Sequence, residues 1–233
     1  CRLRRQRQMC IRDRCTSCIY LVKLYLVNKG VTMIFNQLFD DKSSTYTYII
    51  SSGKGREALI IDPVIEHSKK YIKILKDLEL KLVKVIDTHI HADHISGLNE
   101  LNKQTECTRI MGEESDSEVI DLRVKENEKV KIEGVELITL YTPGHTKCSY
   151  SYLMNDRVFT GDTLLINGSG RTDFQGGSAM EQYDSIFGKL LKLPNKTLVY
   201  PAHDYNGKKF STIDNERNNN PRLQVSSSDE YIE

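Results

Sequence analysis

The sequence lacks most of the features that announce a specialised class of protein. Of its 33 Lys and Arg and 32 Asp and Glu, eight and one fall in residues 1–32, which leaves 25 basic against 31 acidic side chains afterwards. No basic stripe exists in that longer part, so a nucleic-acid partner has no electrostatic footprint to meet. Long apolar runs are missing too. The longest near the start, Cys18 to Val27, is short and interrupted by Lys23, well below the roughly 20 residues a membrane-spanning helix needs. Cysteine is scarce outside the start of the chain: Cys1, Cys10, Cys15 and Cys18 lie in the basic leader, and only Cys107 and Cys148 follow. Two cysteines make no disulfide framework, which suits a reducing compartment. Cys15-Thr16-Ser17-Cys18 has zinc or redox spacing, but no second pair or His follows nearby to complete four ligands, and it reads as non-functional. Internal repeats are absent as well.

Length allows one large domain or two small ones. One is expected, because the residues with metal-binding chemistry run from His89 to His203 and a site stitched from both halves needs both present. Residues 1–32, rich in Arg and poor in acids, have either transit-peptide composition or no native role. The expectation is a native start at Met33, a folded domain over 33–223 and a loosening tail over 224–233.

Hydrophobic patterning predicts strands first, then alternation with helices. Thr45 to Ser51 and Glu57 to Asp62 read as a hairpin about Gly53-Lys54-Gly55. Helical spacing of Tyr71, Ile74, Leu75 and Leu78 predicts a helix over 67–78, followed by a strand over 82–88. A short helix is predicted over 94–103, hairpins over 130–139 and 150–160, a helix over 179–193 and a last strand over 197–200.

What is present in quantity is histidine in one pattern. His89, His91 and His94, with Asp93, follow a strand-like run within six residues. Alternating residues on an extended segment point the same way, so His89 and His91 can converge on one point while Asp93 and His94 face a second. His145, in Thr142-Pro143-Gly144-His145-Thr146, and His203, in Tyr200-Pro201-Ala202-His203-Asp204, each follow a strand-like run and a proline. Asp162 ends a hairpin in Phe159-Thr160-Gly161-Asp162-Thr163, and only His67 lacks such a setting. One or two metal positions are implied.

The order HxHxDH, PGHT, GDT, PAHDY resembles the metallo-β-lactamase superfamily. That resemblance implies an α+β fold, an αββα sandwich whose strand-end loops carry the metal. Gly170 to Gln175, Tyr200 to Tyr205 and Asn220-Pro221-Arg222-Leu223 further resemble the persulfide dioxygenases of sulfide oxidation, over about Met33 to Leu223. Cys148 departs from the Pro-Gly usual after PGHT. The resemblance implies oxidation of glutathione persulfide by O2 to sulfite and glutathione at one Fe(II) per chain, held by His89, His145 and Asp162. His91, Asp93, His94 and His203 then become supporting groups or spare ligands, and Arg171, Tyr205 and Arg217 candidates for substrate binding.

The alternative is a hydroxyacylglutathione hydrolase with two zinc ions: His89, His91 and His145 on one, Asp93, His94 and His203 on the other, and Asp162 bridging. Similar hydrolases carry a helical substrate domain well beyond the last His, whereas 30 residues follow His203 here. The family's tail also usually runs further than Glu233, so truncation is expected. A third reading, a non-catalytic metal-binding module, would be expected to have lost ligands, and none is missing. The expected setting is cytoplasmic, or the mitochondrial matrix if the leader is a transit peptide, with a homodimer possible.

Overall fold

A computed structural model describes residues 21–27 and 31–233 of the chain, with side chains from Met33 onward. The cysteine pair Cys15 and Cys18 lies outside the described residues. Two sheets face each other. The first follows chain order: β1 (Leu21–Val27), β2 (Val31–Asp40), β3 (Thr45–Ser51), β4 (Glu57–Ile61), β5 (Lys81–Ile86), β6 (Thr108–Gly112) and β7 (Leu122–Val124). The second runs from edge to edge as β13 (Ser211–Thr212), β12 (Leu198–Pro201), β11 (Arg157–Gly161), β10 (Tyr150–Met154), β9 (Val135–Tyr141) and β8 (Lys129–Ile132).

Period-two alternation sorts the strand residues into layers. Tyr48 and Ile50, Leu59 and Ile61, Phe159 and Tyr200 point into the core between the sheets. Their neighbours Ile49 and Ile60 point outward, under α1 (Ser68–Asp77) and α2 (Leu98–Thr105). Val158 and Val199 likewise meet Ile186, Leu190, Ile213 and Tyr231 on the outer face of the second sheet. Helices on both outer faces of two packed sheets make the αββα sandwich that the motif order implied. β3 is buried along its whole length because both of its faces are covered.

The structure departs from the sequence reading in four places. The hydrophobic period over 179–193 gives α3 (Ala179–Tyr183), then a π-helical stretch Asp184–Lys189 and a 3-10 turn Leu190–Lys192, rather than one straight helix. Ser178 caps its start, its Oγ accepting from Glu181 N. The helix placed at 94 begins at Leu98, because residues 94–97 are held back by backbone bonds from Ile65 N to Ile95 O and from Gly97 N to Pro63 O. The boundary placed at Met33 falls inside β2, and β1, within the expected leader, pairs along it from Leu21↔Gln37 to Val27↔Val31. The tail does not loosen: after α4 (Ile213–Asn219) it forms α5 (Ser228–Ile232), which seats Tyr231 with 0% exposure. No helix among the described residues is long and apolar enough to cross a membrane.

Candidate metal centre

The site forms where strand ends are brought to one edge. β4 and β5 are parallel with Ile61 opposite Ile86, so Asp62 and the segment Asp87-Thr88-His89 leave the sheet side by side. β11 and β12 are also parallel, with Gly161 opposite Pro201, which sets Asp162 beside His203. The turn from β9 to β10 supplies His145. Gly144 in that turn has φ +130, and a Cβ there would stand 2.3 Å from Gln182 N, so only glycine fits.

One ligand atom each from His89, His145 and Asp162 lie within 4.8 Å of one another. The two Nε2 atoms are 3.8 and 3.6 Å from Asp162 Oδ2. Two donors bound to one ion at about 2.1 Å can be no more than about 4.2 Å apart, so both pairs are within reach of a shared metal. Their tautomers suit it. The Thr88 hydroxyl donates to Asp62 Oδ2 at 3.0 Å, so at 2.9 Å it accepts the His89 Nδ1 proton. His145 Nδ1 donates to the carbonyl of Arg171 at 2.8 Å. With Nδ1 as the donor in each ring, Nε2 is the atom of each that faces Asp162 and could bind a metal. Burial, and then the neighbouring His91, hold the His89 imidazolium well below its ordinary range, so it stays a neutral donor. Burial alone would raise the Asp162 carboxyl, but His203, His89 and His145 draw it well below the usual carboxylate range and keep it anionic. Two imidazoles and one carboxylate form the facial set that suits non-haem Fe(II).

The other four residues gather next to this set. His91, Asp93, His94 and His203 form their own group within 4.8 Å. His203 Nε2 and His94 Nδ1 lie 2.9 and 2.8 Å from Asp93 Oδ2, and His91 Nε2 lies 3.2 Å from Asp62 Oδ1. The buried atoms His91 Nδ1 and His94 Nε2 have no hydrogen-bond partner. His91 lies between the two sets, with a ring atom in the Asp93, His94 and His203 group and its ring centre 4.1 Å from that of His89. His67 stays apart, 2.8 Å from Asp40 Oδ1.

A cavity of about 410 Å³ opens onto His89, His145 and Asp162, with Arg171, Phe174 and Tyr205 on its walls. The Arg171 guanidinium binds both oxygens of Asp173 at 2.8 and 2.9 Å and lies 5.6 Å from the Phe174 ring centre. Tyr205 is 71% exposed and its ring is parallel to His203 at 6.2 Å. Arg217 is not brought here. It lines a separate cavity with Leu191 and Leu223, and its guanidinium is taken by Asn195 Oδ1 and the Leu191 carbonyl. Asp204 holds its own loop, its Oδ2 accepting from Asn206 N and Lys208 N. A further cavity, of about 370 Å³, lies behind His91 against Asp87 and Met111 and does not reach the three ligands.

One supporting residue, Asp62, was not singled out from the sequence. Asp62 Oδ1 accepts from Thr88 N at 2.7 Å while its Oδ2 binds the Thr88 hydroxyl, so this carboxylate fixes the His89 tautomer. Asp62 has φ +51, a conformation that Asp tolerates better than most residues. Its signal was available: an Asp-Pro directly after an apolar strand, the same strand-end setting as the ligands themselves.

The chain matches the Metallo-beta-lactamase superfamily over residues 40–203. It is 41% identical to the mitochondrial persulfide dioxygenase ETHE1 of Mus musculus over 204 residues, covering 84% of this chain and 78% of that protein. A hydroxyacylglutathione hydrolase of Dictyostelium discoideum is 32% identical over 187 residues, covering 75% and 68%. Among solved structures, ETHE1 from Myxococcus xanthus superposes with a TM-score of 0.83 at 44% identity, covering 85% of this chain and 88% of the other.

Proposed function

Because the chain belongs to the metallo-β-lactamase superfamily, and within it to the persulfide dioxygenases, we propose that it oxidises glutathione persulfide with O2 at one Fe(II) held by His89, His145 and Asp162. The observation that carries the metal assignment is the pair of Nε2 atoms turned on Asp162 Oδ2, each ring oriented by a hydrogen bond at Nδ1. The balanced reaction joins RSSH, O2 and H2O to give RSH, sulfite and two protons. The terminal sulfur gives four electrons to O2 and leaves the thiol sulfur, which takes a proton. Bound at the triad, Fe(II) supplies the redox capacity that side chains lack, and three protein ligands leave coordination positions for persulfide and O2.

The chain's own groups do the rest. Asp162 supplies the one anionic donor, and His89 and His145 the neutral ones. Arg171 and Tyr205, both lining the cavity, offer a cation and a phenol to the polar tripeptide of the thiol carrier. Asp93 and Thr45 hold His203 against Asp162, which restrains the carboxylate. The buried thiols Cys107 and Cys148 fit a reducing compartment.

The two-zinc thioesterase draws its support from the unpartnered His91 Nδ1 and His94 Nε2 beside Asp93. It is the weaker reading, since the hydrolase relatives are more distant. Protein purified without oxygen should contain about one iron per chain and consume O2 when given glutathione persulfide. Two tightly held zinc ions, thioester hydrolysis and no O2 uptake would overturn the proposal.

A further inference from the structure

One wall of the metal cavity is the loop over residues 168–178, which contributes no ligand, yet two ligands lean on it. Gly170 N donates to the Asp162 carbonyl at 2.8 Å, and the carbonyl of the following residue, Arg171, accepts the His145 Nδ1 proton at 2.8 Å. The fit is tight: a Cβ on Gly170 would stand 2.2 Å from the Asp162 carbonyl oxygen and 2.9 Å from His145 Nδ1. The Gly170–Arg171 peptide is joined to the Arg171 carbonyl through a single Cα, so holding that peptide in place limits where the carbonyl can point.

That peptide is held from behind. Its carbonyl, Gly170 O, accepts from Gln182 Nε2 at 2.9 Å, and Gln182 Oε1 accepts from the Tyr231 hydroxyl at 2.7 Å. Gln182 lies in α3, Tyr231 in α5, and both have 0% exposure. An amide in such surroundings is costly unless each of its ends is paired, and packing alone calls for no polar group at this position. Here both ends are used: the Tyr231 hydroxyl takes the oxygen, which turns the amide NH2 toward Gly170 O.

We infer that Gln182 is a positioning residue for the metal ligand His145, and that α5 acts on the metal site through the line Tyr231, Gln182, Gly170–Arg171, His145. The inference rests on the reading of His145 as a ligand. Loss of the Gln182 hydrogen bond frees the peptide to turn, the Arg171 carbonyl leaves Nδ1, and His145 loses both its ring orientation and its tautomer.

The test compares Gln182→Met, which keeps side-chain length and removes both hydrogen bonds, with Tyr231→Phe, which removes only the hydroxyl. Affinities for Fe(II) and Zn(II) are measured by chelator competition on protein shown to be folded, and the ferrous nitrosyl adduct is examined by electron paramagnetic resonance. Gln182→Met should weaken metal binding about 10 to 100-fold and alter the resonance, the range expected when a ligand loses its orienting partner. Tyr231→Phe should give a smaller loss, and the double variant no more than Gln182→Met alone, because the two act in one line. In a His145→Ala background, Gln182→Met should cost no further affinity.

Unchanged metal affinity in folded Gln182→Met, or an equal loss with and without His145, overturns the inference. Should Gln182→Met fail to fold, Tyr231→Phe decides, and unchanged affinity there overturns it equally. Should the native protein take zinc and refuse iron, the iron reading falls, while the zinc affinities still test Gln182.

Discussion

The His203 ring lies between two carboxylates, with Nδ1 2.7 Å from Asp162 Oδ1 and Nε2 2.9 Å from Asp93 Oδ2. Burial alone would lower its pKa, but Asp162 and then Asp93 raise it to about 10. A folded value above the unfolded one, about 6.5, means the contribution to stability is fully present below about pH 6.5 and disappears as the pH rises through the folded value. In metal-free protein, the thermal-midpoint advantage of the native chain over His203→Asn should shrink between pH 6.5 and about 10. A difference that stays constant across this range would contradict the prediction.

Asp162 and His203 touch, yet their removal should differ. Asp162→Ala takes the only anionic donor of the triad and should abolish iron binding and persulfide-dependent O2 uptake together. His203→Ala removes a group that restrains Asp162, and should leave the metal bound with roughly 10 to 100-fold weaker affinity. Metal content and oxygen uptake of the two variants decide it. Equal loss of metal from both would make His203 a direct ligand and favour two ions.

Gly170→Ala adds one methyl group where the backbone of Asp162 and the ring of His145 stand closest. Overpacking of this kind typically costs about 1–3 kcal/mol. Because the clash falls on two ligands, metal affinity should drop by a larger factor than that of a variant with equal loss of thermal midpoint elsewhere in the fold. Normal metal content in Gly170→Ala would show that the loop can yield.

Arg171 has two roles that a single substitution separates. Its carbonyl orients His145, and Arg171→Ala keeps that carbonyl. Its guanidinium pairs with Asp173 at the cavity wall, where both side chains are largely exposed. Arg171→Ala should therefore retain iron and kcat while raising KM for the persulfide severalfold. A loss of iron in this variant would mean that the side chain, and not only the backbone, holds the loop.

The site was legible in the sequence to the extent that strand ends were legible. Each ligand follows an apolar run, and a run buried on both faces, such as β3 or β12, is strong evidence for a strand whichever sheet it joins. Partnership was harder to read. Nothing local in Ile61-Asp62-Pro63 says that β4 and β5 lie parallel and adjacent, and it is that adjacency which delivers Asp62 to Thr88. Arg217 shows the same difficulty, since it lines a different cavity. The resemblance made it a candidate for substrate binding, but α4 turns its guanidinium to Asn195 and Leu191. Helical period over 179–193 predicted the buried face correctly and could not show the widened turn at Asp184–Lys189, since a π-helical stretch keeps the same residues inward.

The two sheets are joined by main chain at one end. Tyr46 N donates to the Ala202 carbonyl at 2.7 Å and Asp204 N to the Ser44 carbonyl at 3.3 Å, on either side of the Thr45–His203 bridge. At the far end of β3, the contacts across the sandwich run through side chains: the Ser52 hydroxyl to the Glu133 carbonyl, and Arg56 to the Glu133 carboxylate. The sandwich is thus bound like a book whose spine runs along the metal edge. Amide exchange should therefore rise first on the Glu133 side, with the ligand-bearing strand ends protected longer. The apo protein consequently offers an arriving ion a preorganised seat, and the slowest amide exchange in the domain should be found at the spine, at Tyr46 and Ala202.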